Sequence, residues 1–370
     1  MKPSRLLLRL EAGIANARTM LEADCLRAER AGYLVRLGRF EEVSAELALL
    51  RTRYDDRPNV KISVWLNLVE GLTIHSREMG LAARDKVLRA HALSGAAGLL
   101  QMRALSAGWL AHMDFLLADI VSMTRHAEEA LTLADKSHDS TRARAGLVVA
   151  QGYHQGGRLD LALPWYFSAR QHAISDGDDA MVSALMHNMA WLRASNLRQE
   201  QVLGTRTTGE NDFALLSAQS TAHFDLLVGA TNLQGHIPIL QAKLLVSSGQ
   251  PLEALALFDE HLQTVLREGL VRLQADLIAD RAWCRVQLGQ TTEARKDAAL
   301  AESNIALDGQ LDDRAFAHSR LVEVFAALGE SESAERHKRL ADTAWRGYVE
   351  FQAQIVILLN GLVENIKGKF

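Results

Sequence analysis

Prolines and cysteines are scarce in this sequence, which has five of the former and two of the latter among 370 residues. Because proline is the main residue that breaks helices, long helices can run almost anywhere along the chain. Alanine and leucine outnumber valine and isoleucine, a composition that disfavours strands. Cys25 and Cys284 are far apart and form no C-x-x-C pair, which excludes a zinc knuckle and a thioredoxin-type motif.

An excess of positive charge is also missing, because the formal net charge is −4 and basic residues are interleaved with acidic ones. Nucleic-acid binding needs a basic surface, so we expect no nucleic-acid partner. The most apolar run, Ile355–Leu359, is far too short to cross a bilayer. Arg9 and Glu11 interrupt the first leucines before they reach the length of a signal peptide. These features predict a cytoplasmic protein without a membrane partner.

The sequence motifs of catalysis and nucleotide binding are missing too. The chain contains no Walker-type phosphate loop, no G-x-G-x-x-G fingerprint, no G-x-S-x-G elbow and no H-E-x-x-H zinc motif. Thirteen histidines are present, but a repeat of helix pairs would separate those of successive pairs by about 10 Å. We therefore predict no metal, no cofactor and no enzyme activity.

What the chain does contain is an internal repeat of about 40 residues, marked by glycines in predicted turns. Gly249, Gly289 and Gly329 are each 40 residues apart, and Gly38 and Gly157 fit the same scheme. Steps of 39 or 40 residues from these glycines place the remaining turns at Glu78, Ala118 and Leu197. A repeat of this length predicts an array of helix pairs rather than one globular core.

Two positions around each turn carry small residues. Seven residues before it stand Ala31, Gly71, Ala111, Ala150, Ala190, Ala242, Ala282 and Val322. Five residues after it stand Val43, Ala83, Met123, Ala162, Val202, Ala254, Ala294 and Ala334. Small side chains at fixed points let the two helices of a pair approach each other closely.

These positions resemble the Ala/Gly, Gly and Ala signature of the tetratricopeptide repeat, most clearly over residues 249–258 and 157–166. The usual repeat has 34 residues, and the longer one here is similar to the sensor regions of maltose-activator-type bacterial regulators. It is also similar to the helical regions that precede some diguanylate cyclase domains. The resemblance covers about residues 20–345. It implies an all-α, right-handed superhelix of about eight antiparallel helix pairs plus a C-terminal helix.

The predicted array spans residues 1–345, with an irregular insertion near 198–232. Leu197 and Gly249 are 52 residues apart, 12 more than one repeat. Residues 346–370 are predicted to form a C-terminal helix that caps the array or dimerises. Its apolar stripe recurs at steps of three and four residues and comprises Trp345, Tyr348, Phe351, Ile355, Leu358, Leu359, Leu362 and Ile366.

The resemblance also implies a binding surface, because the first helix of each tetratricopeptide pair lines a concave groove. Aromatic, histidine and arginine side chains on such a face are typical of recognition surfaces. The predicted groove comprises Trp65, His75, His112, Phe115, Arg144, Gln151, His154, His187, Trp191, His236, Lys243, Asp276, Trp283 and Glu323. The alternative is a superhelix so tight that Trp191 and Trp283 only fill its interior.

The function expected from this surface is that of a bacterial adaptor in regulation or signalling, which binds a protein or peptide in its groove. A homodimer through the C-terminal helix is a further possibility. The alternative is a sensor that responds to a small molecule and controls a separate enzyme or transcription factor.

Overall fold

The computed structural model describes residues 4–77, 80–204, 210–228, 235–267, 269–306 and 309–367, and these residues contain helices and no strand. The helices are α1 (Arg5–Ala15), α2 (Met20–Leu37), α3 (Phe40–Tyr54), α4 (Val60–His75), α5 (Leu81–Ala96), α6 (Leu100–Leu116), α7 (Ile120–Leu133), α8 (Asp139–Gln155), α9 (Leu159–Asp176), α10 (Asp179–Leu203), α11 (Glu210–Val228), α12 (His236–Ser247), α13 (Pro251–Arg267), α14 (Gln274–Gln287), α15 (Thr291–Ser303), α16 (Leu311–Ala327) and α17 (Ser331–Asn365). A short 3₁₀ turn precedes α14.

The helices form eight consecutive pairs, which begin with α2–α3 and end with α16–α17. Within the described residues, α2 packs on α4, and α6, α8, α10, α12, α14 and α16 each pack on the next in this series. Between α4 and α6, the rings of His75 and His112 are in contact. We call the side of the array that these first helices form its inner wall. This arrangement confirms the predicted all-α repeat of eight pairs. An additional helix, α1, precedes the first pair and packs against α2.

Most of the predicted turns are where the spacing placed them. Gly38, Gly157, Gly249, Gly289 and Gly329 all adopt a left-handed backbone with φ between 73° and 81°, which glycine tolerates best. Ala118 adopts the same conformation with φ of 57°, the one non-glycine residue to do so in the described chain. The turn predicted at Glu78 lies outside the described residues.

The turn predicted at Leu197 is wrong, because α10 passes through this position and ends only at Leu203. The chain reverses direction instead at Gly204, where φ is 71°. The Leu197 side chain is buried in an apolar cluster that also contains Ala218 of α11 and Leu240 of α12. A buried leucine continues a helix where a glycine would end it, so part of the 12-residue insertion lengthens α10.

The small positions lie where helices touch. Ala31, Ala111, Ala150, Ala242 and Ala282 are fully buried. A Cβ atom added to Gly71 would lie 2.7 Å from Cγ2 of Val87 on the partner helix α5, closer than real atoms approach. The predicted reason for these small residues, close approach within a pair, is thereby confirmed.

Enlarging one of these alanines is expected to separate its helix pair. We expect Ala150→Leu or Ala282→Leu to lower the free energy of unfolding by about 1–3 kcal/mol, because the added atoms have no space. Chemical denaturation measured by circular dichroism gives the difference. The exposed Ala82 provides the control, since Ala82→Leu should leave stability nearly unchanged. Equal effects of Ala82→Leu and Ala150→Leu would contradict the predicted packing.

The superhelix turns tightly enough for distant pairs to touch. At one end, the amide of Leu6 in α1 donates a hydrogen bond to the carbonyl of Gly177, just before α10 (3.2 Å). At the other, Gln310 donates to the carbonyl of Leu116 (2.6 Å), and Gln352 donates to the carbonyl of Gln155 (2.6 Å). Helix α1 therefore meets the start of the fifth pair, as does the first pair through Arg36 and Asp178, and the eighth pair meets the third and fourth.

The C-terminal segment predicted to start at residue 346 continues the second helix of the eighth pair without a break, and the whole of α17 has 35 residues. No proline or predicted turn separates its two halves. The later part of the apolar stripe packs on α7 and α8, where Ile355, Leu359, Leu362 and Ile366 join one core cluster. Trp345 and Tyr348 at its start pack with Phe316 of α16. The stripe is therefore covered by the chain itself.

The described part of the chain contains no helix that has both the length and the apolar character needed to cross a membrane.

Candidate functional site

The inner wall of the first five pairs encloses a small space, which we call the N-terminal cavity. It has a volume of about 50 Å³. Its walls come from α1, α2, α4, α6, α8, the end of α9 and the start of α10, so that helices far apart in sequence contribute to one site. Its lining combines apolar and charged side chains, of which Glu29, Tyr33, Arg36, Trp65, Trp109, Arg144, Asp176 and Asp178 are the most informative.

Arg144 is the unusual residue of this cavity. It is 4% exposed, and its guanidinium lies over the ring of Trp109, with 3.8 Å between Cζ and the ring centroid. Among the described residues, no hydrogen-bond acceptor and no carboxylate pairs with it. Burial and the charge of Arg36 lower the pKa of Arg144 to about 9, so the side chain remains a cation at neutral pH.

The other arginine of the cavity does have a partner. Nη1 of Arg36 lies 2.5 Å from Oδ2 of Asp178, and its guanidinium also lies over the ring of Tyr33. Asp178 in addition caps α10, where its Oδ1 accepts a hydrogen bond from the amide of Met181 (2.8 Å). The hydroxyl of Tyr33 also forms a hydrogen bond of 2.6 Å with the hydroxyl of Ser4, which lies just before α1.

Two histidines beside Arg144 carry no charge at neutral pH. The rings of His75 and His112 meet edge to face at 5.4 Å, and the ring of His112 lies 6.0 Å from that of Trp109. Burial and the charge of Arg144 lower the pKa of His75 to about 4 and that of His112 well below its usual value. Neutral imidazoles therefore add polarity to this wall without adding a second cation.

The first helices of pairs five to eight hold a second group of charges, the charged cluster, which consists of Arg198, Lys243, Asp276, Asp280 and Arg320. All five side chains are at least nine-tenths buried. Asp276 pairs with Lys243 and, at 2.5 Å, with Arg198. Asp280 pairs with Arg198 at 3.1 Å and with Arg320 at 2.7 Å.

Aromatic rings surround the charged cluster. Cζ of Arg198 lies 4.9 Å from the ring centroid of Phe316, and Nζ of Lys243 lies 5.9 Å from that of Trp191. Arg320 lies over Trp283 at 5.7 Å and pairs with the more exposed Glu323. Unlike Arg144, each cation of the charged cluster has a carboxylate partner.

The structure divides the predicted groove residues into three sets. Trp65 and Arg144 line the N-terminal cavity, and His75 and His112 adjoin Trp109 on its wall. Lys243, Asp276, Trp191, Trp283 and Glu323 belong to or surround the charged cluster. The contacts described here join neither group to Phe115, Gln151, His154 or His187, and His236 is buried at the start of α12.

Two residues of the third set are held by the second helices of their own pairs. Nδ1 of His154 lies 3.1 Å from the hydroxyl of Tyr166 on α9, and burial lowers the pKa of His154 to about 4. Nε2 of His187 lies 2.5 Å from Oδ2 of Asp225 on α11. Their positions in the repeat pointed to the groove, but nearby partners draw their side chains into the packing between helices.

Several residues of both sites were missed in the sequence. Trp109 lies three residues before His112, Asp280 four after Asp276, and Arg320 three before Glu323. Residues at these spacings lie on the same helix face, so this signal could have identified them from the predicted residues. Arg36 and Asp178 have no such signal, because they come together from the first and fifth pairs.

Comparison with solved structures agrees with this architecture. A Rap protein crystallised in complex with competence and sporulation factor superposes with a TM-score of 0.57 and 14% sequence identity, over 93% of this chain and 92% of that one. This chain has a tetratricopeptide-like helical repeat fold.

Two further structures are more distant. The apo form of RapI has a TM-score of 0.45 and 10% identity, over 92% of this chain and 91% of that one. The tetratricopeptide domain of P58(IPK) has a TM-score of 0.30 and 12% identity, over 91% and 86%. No protein-family model and no curated protein sequence matches the chain.

Both sites carry groups that are suited to binding a ligand. Within the described ranges, no group of three or more histidine, cysteine or carboxylate side chains could hold a metal ion. Cys284 is buried, and burial raises the pKa of its thiol to about 12, so it is a poor nucleophile. Aromatic rings and a buried cation are instead the groups by which proteins recognise ligands.

Proposed function

We propose that this chain is a bacterial regulatory adaptor that binds a protein or peptide on the inner wall of its helical array. The observation that supports it best is Arg144, a buried cation on that wall that lies over the ring of Trp109 and has no acceptor among the described residues. A charged group buried without a partner is costly in a folded protein. A ligand that supplies the missing partner would remove this cost. An arginine with a purely structural role would be expected to have its partner within the protein.

The likeness to solved structures supports the proposal at the level of the fold. Helical repeat arrays expose a long inner surface that suits extended ligands, and the Rap protein of similar fold was crystallised with competence and sporulation factor. We carry over from this the class of function, binding in regulation, and propose the cytoplasm as its place. The similarity to maltose-activator-type sensor regions stays a prediction.

A second candidate function is a sensor that responds to a small molecule and controls a separate enzyme or transcription factor. The size of the N-terminal cavity, about 50 Å³, favours it, because a space of this size holds a small chemical group rather than a peptide. The contact between Arg36 of the first pair and Asp178 of the fifth also narrows the space between the inner helices. Thermal-shift screening of small metabolites distinguishes the two, since a ligand that binds only the folded state raises its melting temperature.

The inner wall is tested by co-purification from native extract with the tagged full chain, followed by binding measurements with the purified partner. We expect Arg144→Ala and Trp191→Ala to abolish binding, because both remove groups of the inner wall. Phe167→Ala is the matched control, since Phe167 is an aromatic residue on α9 that is 63% exposed. Loss of binding in the control alone would contradict the proposal.

Trp191 needs a second measurement, because it also packs against two apolar clusters. If Trp191→Ala lowers the free energy of unfolding by about 3 kcal/mol or more, as a core aromatic would, its role is structural. If Trp191→Ala abolishes binding and Arg144→Ala does not, the inner wall still binds the partner but Arg144 does not anchor it.

A further inference from the structure

The N-terminal cavity has the geometry of an anion site. The ring of Trp109 covers one face of the Arg144 guanidinium at 3.8 Å. Stacking on a ring occupies the face of a guanidinium and leaves the N–H groups at its edge available as donors. Those donors have no acceptor among the described residues, although Arg144 is only 4% exposed. Charged donors of so buried a side chain are usually paired, and Arg144 lines the cavity, so its donors are available to an acceptor that enters there.

We propose that Arg144 binds a carboxylate group of the ligand in the N-terminal cavity, with Trp109 as the stacking platform beneath the guanidinium. This inference rests on the proposed function, because it names the chemical group by which the inner wall anchors its ligand. A planar guanidinium donates two parallel hydrogen bonds to a carboxylate, which gives both strength and orientation.

The charges around the cavity select a monoanion. Asp178 neutralises Arg36 (2.5 Å), and Arg9 neutralises Asp176 (2.5 Å), so these four residues add no net charge. Glu29 also lines the cavity, and burial together with the charge of Asp176 raises its pKa. Arg144 thus provides at most one positive charge in excess. One excess charge matches a carboxylate, whereas a doubly charged phosphate would remain uncompensated beside these carboxyl groups.

The volume and the walls agree with a group of this size. A buried water needs at least about 10–15 Å³ of such space, so a cavity of about 50 Å³ holds a few waters or one carboxylate. Leu6 and Leu10 of α1 form one wall. The rest of a larger ligand must therefore displace α1, which lies outside the eight pairs. The carboxylate can come from the C-terminus of a peptide or from a small organic acid.

The test compares carboxylates with uncharged amides of the same shape on the full-length protein. The probes are acetate against acetamide, and N-acetyl-dialanine with a free C-terminus against its C-terminal amide, with sodium chloride as the ionic-strength control. Tryptophan fluorescence and melting temperature report binding, since Trp65 and Trp109 line the same cavity. We expect saturable binding of at least one carboxylate and at least about tenfold weaker binding of its amide.

Variants tie the response to Arg144. Arg144→Met keeps the length of the apolar stem and should lose the response, whereas Arg144→Lys should retain a weaker one, because it keeps the charge without the paired donors. Arg89→Met is the matched control, since Arg89 is exposed on α5 and forms no ion pair with any residue that the structure describes. If Arg144→Met does not fold, the comparison of acid with amide in the natural chain still decides whether the protein binds a carboxylate.

Three outcomes would overturn the inference: equal responses to acid and amide, an unchanged response in Arg144→Met, or tighter binding of inorganic phosphate than of either carboxylate. Binding of the peptide acid supports a peptide C-terminus as the source, and binding of acetate alone supports a small organic acid. The co-purification experiment is independent of this one. A protein partner that requires Trp191 while carboxylates fail to bind would preserve the proposed function and reject the carboxylate site.

Discussion

Replacing Asp276 with alanine is expected to lower the free energy of unfolding by about 3–5 kcal/mol, among the largest effects of any single substitution in this chain. Asp276 is 2% exposed and compensates both Arg198 and Lys243. Without it, Arg198 keeps its contact with Asp280. Lys243 loses its one ion pair among the described residues and keeps only a weaker attraction to Asp313, while both cations stay buried. Removing one partner of a buried ion pair costs more than the pair itself contributes, because the remaining charge is left uncompensated.

Chemical denaturation at neutral pH measures this effect, and Asp342→Ala on the exposed face of α17 is its control. The effect also depends on pH. Burial alone would raise the pKa of Asp276, but Arg198 and Lys243 outweigh it and lower the pKa to about 2. The stabilisation by Asp276 is therefore fully present above the unfolded pKa of about 4 and is lost as the pH falls through about 2. The free energies of unfolding of the natural chain and of Asp276→Ala should therefore differ less near pH 2 than at pH 7. An equally large difference at both pH values would contradict the role given to Asp276.

Ending the chain at Ala344 is expected to destabilise the array by roughly 5 kcal/mol or more. The truncation removes Tyr348, Ile355, Leu359, Leu362 and Ile366, which are all buried. Each buried side chain of this kind contributes about 1.5–3 kcal/mol, and the conformational entropy recovered by the removed segment offsets part of the sum. Because typical domains are stable by only about 5–15 kcal/mol, the truncated chain should melt far below the full chain.

Two neighbouring isoleucines on α17 provide a matched comparison for this prediction. Ile355 is fully buried and Ile357 is 68% exposed. We expect Ile355→Ala to cost about 2–5 kcal/mol and Ile357→Ala less than about 0.5 kcal/mol. Similar costs for the two would show that α17 does not pack on α7 and α8 as described.

The same packing bears on the homodimer predicted from the apolar stripe. Because α7 and α8 cover the stripe, a second copy would have to use the opposite face of α17, where Ile357 and Val349 are exposed. Light scattering on the full chain and on the chain that ends at Ala344 tests this. A monomer in both cases excludes the homodimer.

The sequence by itself determined the helix pairs and most of their turns, because these depend on residues that are close along the chain. A glycine in the left-handed region ends a helix, and alanines at fixed distances from it let the two helices meet. Leu197 shows where this local information fails. The spacing required a turn there, but a leucine buried against α11 and α12 kept the helix going, and only the neighbouring pairs supply that burial.

The tertiary structure decided the two sites. The repeat register predicted Trp65, Arg144, Lys243 and Asp276 on one face of the first helices. The structure places the first two at the N-terminal cavity and the last two in the charged cluster, and their role in binding stays a prediction. Which charges find partners could not be predicted, because the partners come from other pairs: Arg36 and Asp178 are 142 residues apart, and Arg198 and Asp276 are 78 apart. The tight turn of the superhelix brings carboxylates to those cations, whereas in the described part of the chain no carboxylate lies within ion-pair distance of Arg144. A charge is compensated only by groups within a few ångströms.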